Sequence, residues 1–222
     1  MFEYRIIRSS RRTLGIVVSP EKGVVVRAPY RATVEEIRKF VEEKSEWIER
    51  HLTIFGEMKS LSHTGKDGEH IMFRGREYRV SVMQSDIINV TLKDGILEVG
   101  SPHPEKISAT KAIIELWYRH NAEVILRNMF KDVLFRYSVQ NFKPAQLTIR
   151  KMKGKWGSCT SKGRITLNSE LIKLNDSLVE YVIIHELCHL KHPNHGEGFY
   201  SLLGELVPQW QEMRKQLKKY VF

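Results

Sequence analysis

The sequence predicts an α+β fold, β-rich over its first hundred of 222 residues and mainly helical beyond. Three observations carry that reading. Short runs of β-branched and aromatic residues fill 4–28 and 71–99, punctuated by Gly, Pro, Asp and Ser. Apolar residues recur every three or four positions between Ile107 and Leu134 and between Phe199 and Leu217. Between the two regimes, Ser101-Pro102-His103-Pro104 places two prolines that remove backbone donors and stiffen the chain. The expected division is a β-rich N-terminal domain with one helix at 1–103 and a second domain at 104–222.

In order along the chain, residues 4–7, 14–18 and 24–28 read as the strands of a β-meander, the last two joined by a turn at 19–23. Thr33-Val34-Glu35-Glu36 has the form of a capping box. Ile37, Phe40, Val41, Ile48 and Leu52 continue from it as one helix to about His51. Residues 56–69 are polar and glycine-containing and read as a mobile loop. Strands follow at 71–73, 78–83, 87–92 and 96–99, the last pair turned by Lys93-Asp94-Gly95. Ile107, Ile114, Trp117, Ile125, Met129, Val133 and Leu134 mark a helix from 105 to 137, with a break expected near Asn121. Residues 146–151 and 164–168 read as two strands joined by a loop with Gly154, Gly157 and Gly163. Ser177-Leu178-Val179-Glu180 is a second capping box. It opens a largely buried helix through Tyr181, Val182, Ile183, Ile184, Leu187 and Leu190. The final apolar stripe, Phe199 to Leu217, is interrupted at Val207-Pro208 and so forms a kinked helix or two helices.

Composition narrows the function classes. The apolar runs are too short to span a bilayer, and the N-terminus leads into charge and not into a secretory signal, so the expectation is a cytoplasmic protein without membrane contact. Cys159 and Cys188 are the only cysteines, too few for a disulfide framework, and packing roles suit both. A formal charge of +10 favours acidic substrates or polyanions. Basic clusters at 8–12, 150–155 and 214–219 suit a solvated face as well as a nucleic-acid groove, so nucleic-acid contact is the lesser expectation.

Chemistry concentrates at His185-Glu186-Leu187-Cys188-His189, continuing through His192, Pro193, Asn194 and His195. On a helix, positions four apart lie roughly 6 Å apart on one face, so His185 and His189 can grip one metal ion. Glu186 sits about 100° round the helix, off that face but near a water on the metal, the place for a general base. A Zn²⁺ ion with three protein ligands leaves a fourth position for water and lowers its pKa to about 7. For the third ligand His195 is preferred. Pro193 disfavours helical geometry at His192, while Pro193-Asn194 and Gly196 let the chain turn back. His192 and a later glutamate, Glu205, are the alternatives. Left unpartnered in an apolar helix, these polar side chains would cost a few kcal/mol, which argues against a purely structural role. His51 reads as a surface residue, and His63, His70, His103 and His120 have no metal spacing around them.

The stretch Trp156-Gly157-Ser158-Cys159-Thr160-Ser161-Lys162-Gly163-Arg164-Ile165-Thr166-Leu167-Asn168, followed by 185–195 and Phe199, resembles the YgjP-like zinc metallopeptidases, relatives of the SprT-like proteases. The metzincins share the ligand spacing, but His192 stands where they have glycine, and no Met-turn is evident. The resemblance implies that 104–222 is a zincin-like metallopeptidase core. It also implies Zn²⁺ ligands His185, His189 and His195, Glu186 as catalytic acid/base, and a peptide or protein substrate. In zincin folds an edge strand beside the metal helix pairs with extended substrate, which makes Lys155, Trp156 and Ser158 candidates for substrate contact. Arg164, Lys155 and Tyr200 are candidates for stabilising the oxyanion. SprT-like relatives act at protein-DNA crosslinks, which adds to the case for DNA contact. The rival readings are a basic nucleic-acid-associated protein with a structural zinc site, and a zinc hydrolase of non-peptide substrates. A glutamate beside the metal has no use in the first of these.

Overall fold

The computed structural model describes residues 2–19, 22–57 and 59–221. Of the residues expected in turns and loops, Pro20, Glu21 and Met58 lie outside it. The chain groups into two compact units, Met1–Lys59 with Lys218–Val221, and Ser60–Leu217.

In the first unit, β1 (Tyr4–Ser9), β2 (Gly15–Ser19) and β3 (Gly23–Pro29) form a sheet in the order β1-β3-β2. The expected meander is therefore corrected: β2 and β3 form an antiparallel hairpin, but β1 pairs parallel with the far side of β3. The reason lies in Val24-Val25-Val26, a run buried at every position, as a central strand requires, whereas β1 and β2 are more exposed edges. Thr33 and Glu36 form the expected reciprocal cap, Thr33 N–H donating to Glu36 Oε2 at 2.7 Å and Glu36 N–H to Thr33 Oγ1 at 3.2 Å. Instead of one helix there are two, α1 (Val34–Glu43) and α2 (Ser45–Glu57), because Lys44 leaves helical geometry. Val24, Val26, Ala28, Ile37, Val41 and Ile48 make this unit's core.

Strand β4 (Lys59–Ser60) follows. In the second unit β5 (His70–Phe73), β6 (Arg76–Gln84), β7 (Asn89–Lys93) and β8 (Ile96–Ser101) lie in the order β5-β6-β8-β7, with β6 and β8 parallel. Asp94 and Gly95 both adopt positive φ, 50° and 79°, the two-residue turn that matches strand twist in the β7–β8 hairpin. The segment expected as a mobile loop is pinned over 61–69. Leu61 is buried and its carbonyl accepts from Lys173 Nζ at 2.7 Å. The Glu69 carboxylate accepts from Thr64 N–H, Thr64 Oγ1 and Gly65 N–H. Residues 101–104 lie inside this unit and lead to α3 (Ile107–Arg136), which runs without the break expected at Asn121; that side chain donates to the Trp117 carbonyl within the helix. The buried face of α3 is Ile114, Tyr118, Ala122, Leu126, Phe130 and Val133, about one position round from the stripe expected through Trp117, Ile125 and Met129.

After a 3-10 turn at Ser138–Gln140 come β9 (Gln146–Arg150), β10 (Gly157–Cys159) and β11 (Arg164–Asn168) in the order β10-β11-β9, β10 antiparallel to β11 at the sheet edge. Strand β10 occupies the stretch expected as loop. Asn168, fully buried, fixes the approach to it. Its amide donates to the carbonyls of Met152 (3.0 Å) and Lys155 (2.8 Å) and its Oδ1 accepts from Met152 and Glu170 N–H. A second 3-10 turn, Ser169–Lys173, leads to α4 (Asp176–Cys188), then α5 (Glu197–Leu206), α6 (Trp210–Leu217) and β12 (Tyr220–Val221). The break at Val207-Pro208 thus yields two helices. The cap of α4 is Asn175, two residues before the expected Ser177, its side chain accepting from Leu178 N–H at 2.9 Å. Asparagine is as good an N-cap as serine, and Ser177 instead donates to Asn175 Oδ1. Helix α4 is buried between α3 and the β10–β11 edge, with α5 and α6 alongside. No helix among the described residues is long and apolar enough to cross a membrane.

Candidate metal centre

The last turn of α4 presents His185 and Glu186, and His189 caps it. Past that point the chain is tied back, with Leu190 N–H donating to Leu187 and both Lys191 and His192 N–H to the Cys188 carbonyl. This tight turn, followed by Pro193, brings His195 round to the histidines of the helix. His185, His189 and His195 each offer one ligand atom, all within 4.8 Å of one another. His185 Nε2 and His195 Nε2 are 3.1 Å apart.

His192 has a different place. Its carbonyl lies 3.2 Å from His189 Nδ1, which donates to it and leaves His189 Nε2 as the free ring nitrogen. Its ring packs over Gly198. Glu205 is also apart from the cluster, accepting from Gln140 Nε2 at 3.4 Å. Of the three candidates for the third position, the structure brings only His195 to the pair. Among the described residues no other His, Cys, Asp or Glu group has this geometry, so His51, His63, His70, His103 and His120 stay outside it.

Phe199, buried on α5, supports the triad from below; its ring centroid is 5.0 Å from His185 and 4.6 Å from both His189 and His195. The apolar stripe that begins at Phe199 is expected to back the metal site, and Phe199 lies against all three rings. Tyr200 stacks on Trp210 and lies 6.1 Å from His195. Burial pushes His185 down to about 3, reinforced by the neighbouring His189 and His195, and burial also lowers His195. At neutral pH both rings are therefore uncharged and keep a lone pair to donate.

Glu186 is 5% exposed, and its Oε2 has no hydrogen-bond partner among the described residues. Burial pushes its carboxyl up to about 8, with Lys155 pulling the other way. Gly157 makes this placement feasible: a Cβ there would fall 2.5 Å from Glu186 Oε1 and 2.7 Å from its Cγ. The sequence gives Gly157 as a loop glycine; its role comes from a helix thirty residues away.

These donors fit a zinc ion. Three imidazoles suit Zn²⁺, and two nitrogens bound at about 2.05 Å in tetrahedral geometry lie about 3.3 Å apart, close to the spacing of His185 and His195. A buried carboxyl with no partner beside them has a use where a cation and a water are bound.

A family model described as YgjP-like, metallopeptidase domain, matches residues 12–220. The chain belongs to this YgjP-like metallopeptidase family. No curated protein matches it. Among solved structures, the metallopeptidase zymogen abylysin of Pyrococcus abyssi is 21% identical, the match covering 41% of this chain and 90% of that one with a TM-score of 0.37. The zymogen jannalysin of Methanocaldococcus jannaschii is 23% identical over 41% of this chain and 92% of that one, with a TM-score of 0.36. Membership of a metallopeptidase family implies a metal, typically zinc.

In this YgjP-like chain the remaining predicted residues lie along β10 and β11. Lys155 is exposed just before β10, and Trp156, half-buried, accepts at its carbonyl from Asn168 N–H. Ser158 pairs with Thr166 at the centre of β10. Arg164 begins β11 with an exposed side chain that makes no described contact to the histidines. Arg214 on α6 was not anticipated; its charge helps hold His185 and His195 low, a proximity that helical spacing alone does not reveal.

Proposed function

We propose that this protein is a zinc-dependent peptidase acting on peptide or protein substrates, with His185, His189 and His195 holding the ion and Glu186 as general acid and base. One observation carries the reading: three imidazoles converge from the end of α4 and the loop after Pro193, beside a buried carboxyl that packs on the edge strand. When bound, the ion supplies Lewis acidity, polarising the scissile carbonyl and acidifying a water.

Glu186 takes a proton from the attacking water and delivers it to the leaving amine. Burial raises its affinity for a proton, so the carboxyl can hold the proton between the two transfers. The edge strand aligns the substrate. Trp156 O accepts from Asn168 N–H and Thr160 N–H donates to Arg164 O, so in the antiparallel ladder the intervening Gly157 and Cys159 turn their backbone groups outward. An extended peptide can add there as a further strand, next to Glu186. We assign Lys155, Trp156, Ser158 and Arg164 to contacts flanking that strand. We assign the catalytic apparatus to a zincin-like core within 104–222, with 1–103 as a β-rich N-terminal portion; the proposed catalytic, metal-binding and substrate residues fall between Lys155 and His195. Two unpaired cysteines suit a reducing compartment, which supports a cytoplasmic location.

The test is the Glu186→Gln substitution. Wild type is expected to cleave an unfolded protein, and the variant to keep its zinc by metal analysis while losing about 10²–10⁴-fold in cleavage rate. A zinc-loaded wild type that leaves peptides intact but hydrolyses members of an amide and ester panel would move the reading to non-peptide substrates.

A further inference from the structure

Just beyond the C-terminal end of β10, Thr160 and Ser161 line a cavity of about 370 Å³ that His189 lines as well. The cavity therefore borders both the end of the strand proposed to align the substrate and one of the proposed metal ligands. Its volume is that of a site for a side chain or small ligand.

The lining is one-sided in charge. Lys143, Lys162 and Lys191 contribute to it, and no aspartate or glutamate does. Lys191 is held in place, its Nζ donating to Gln140 Oε1 at 2.7 Å and lying 5.2 Å from the centre of the Phe142 ring. Lys143 and Lys162 are exposed and have no acidic partner among the described residues. Thr160 and Ser161 add hydroxyl donors. A concave wall carrying one sign of charge concentrates the potential and attracts the opposite charge.

We infer that this cavity receives a carboxylate of the substrate, so that the enzyme selects acidic polypeptide segments. The inference rests on the peptidase reading, which makes β10 the substrate platform. The carboxylate can come from an aspartate or glutamate side chain or from the end of the substrate chain. Both are the same chemistry to three lysines.

Zinc-loaded full-length Glu186→Gln protein binds without turnover and serves as the receptor. The probes are four fluorescein-labelled decapeptides of one sequence, bearing either Glu and Asp or Gln and Asn, each with a free or an amidated C-terminus, followed by fluorescence anisotropy. The acidic side chains or the free terminus are expected to tighten binding about tenfold, as two or three partly exposed ion pairs can, and which of the two matters identifies the source. Lys143→Glu with Lys162→Glu is expected to abolish that preference, and the milder Lys143→Gln with Lys162→Gln to reduce it. Equal binding of all four peptides overturns the proposal, as does a preference that survives both double substitutions. A deoxyoligonucleotide that binds through the same lysines and displaces the acidic peptide at lower concentration overturns it in favour of a nucleic-acid site. Digestion of a peptide library by wild type separates the two readings. Cleavage without acidic preference near the scissile bond sinks the cavity assignment alone, whereas acidic-selective binding with no cleavage of any peptide sinks the peptidase reading alone.

Discussion

At Gly157 the side chain is missing because the Glu186 carboxylate occupies the space where a Cβ would be. The backbone there needs no left-handed geometry, so the cost of Gly157→Ala is steric and falls on Glu186. The variant is expected to fold, to bind zinc normally, and to lose about 100-fold in kcat, the scale of a 1 Å displacement of a catalytic group. Unchanged turnover would show that Glu186 can move without consequence. A second prediction separates the two histidines after the helix. His195→Ala is expected to lower zinc affinity by more than about 100-fold, beyond what loss of an orienting partner costs, while His192→Ala retains the ion because the backbone carbonyl, not the ring, holds His189. Equilibrium dialysis with zinc reads both, and the reverse order would refute the ligand assignment. The helical pair and its glutamate were legible from spacing alone, and Pro193 pointed to His195. The Gly157 contact and the His192 carbonyl were not, because the first depends on packing between segments far apart in sequence and the second on a main-chain atom that every residue shares.

Among the elements, the sequence located nearly every strand and helix, and it failed where pattern and tertiary context diverge. The break between α1 and α2 is invisible because Ile37, Val41 and Ile48 keep helical spacing across Lys44. The face of α3 was misplaced because Trp117 and Met129 are as apolar as Tyr118 and Phe130, and only the neighbouring elements choose between them. Strand β10 is three residues long and too polar to show period two, so its Gly and Ser read as loop. The segment over 61–69 was misread for a similar reason: polar composition suggested mobility, but Glu69 spends its carboxylate on three local donors. Burial opposes ionisation of Glu69, yet the Thr64 and Gly65 donors outweigh it and hold the carboxyl below its ordinary value. A depressed carboxyl stabilises the fold above its unfolded pKa of about 4.5, and that contribution disappears as pH falls through the lower folded value. Glu69→Gln is therefore expected to be less stable than wild type at pH 7, with the gap closing below about pH 4.5. Urea midpoints measured across this range check it, and a gap that is constant with pH would mean the carboxylate is not the source.

For the whole molecule, the proposed metal ligands all lie in the unit Ser60–Leu217, and they join the end of α4 to the loop that enters α5. The unit Met1–Lys59 contributes none. An ion that binds the folded state alone stabilises it by mass action, about 4.1 kcal/mol when free zinc is about 1,000 times the Kd. For a unit of this size, about 1 kcal/mol moves Tm by about 2–4 °C, so chelation is expected to lower its transition by about 8–16 °C. The loss should also be local before it is global. With the ion removed, three imidazoles are left without their shared partner, and the turn at 190–196 is held by a few backbone bonds, the His189–His192 contact and the Lys191–Gln140 bond. Hydrogen exchange should then rise first in 189–200 and at the end of α4, less in β6 and β8 with their buried Val80, Leu97 and Val99, and not at all in β1 to β3. Zinc added back should restore both the transition and the protection. Faster exchange spread evenly over both units, or a transition indifferent to chelator, would mean that the three histidines do not share an ion.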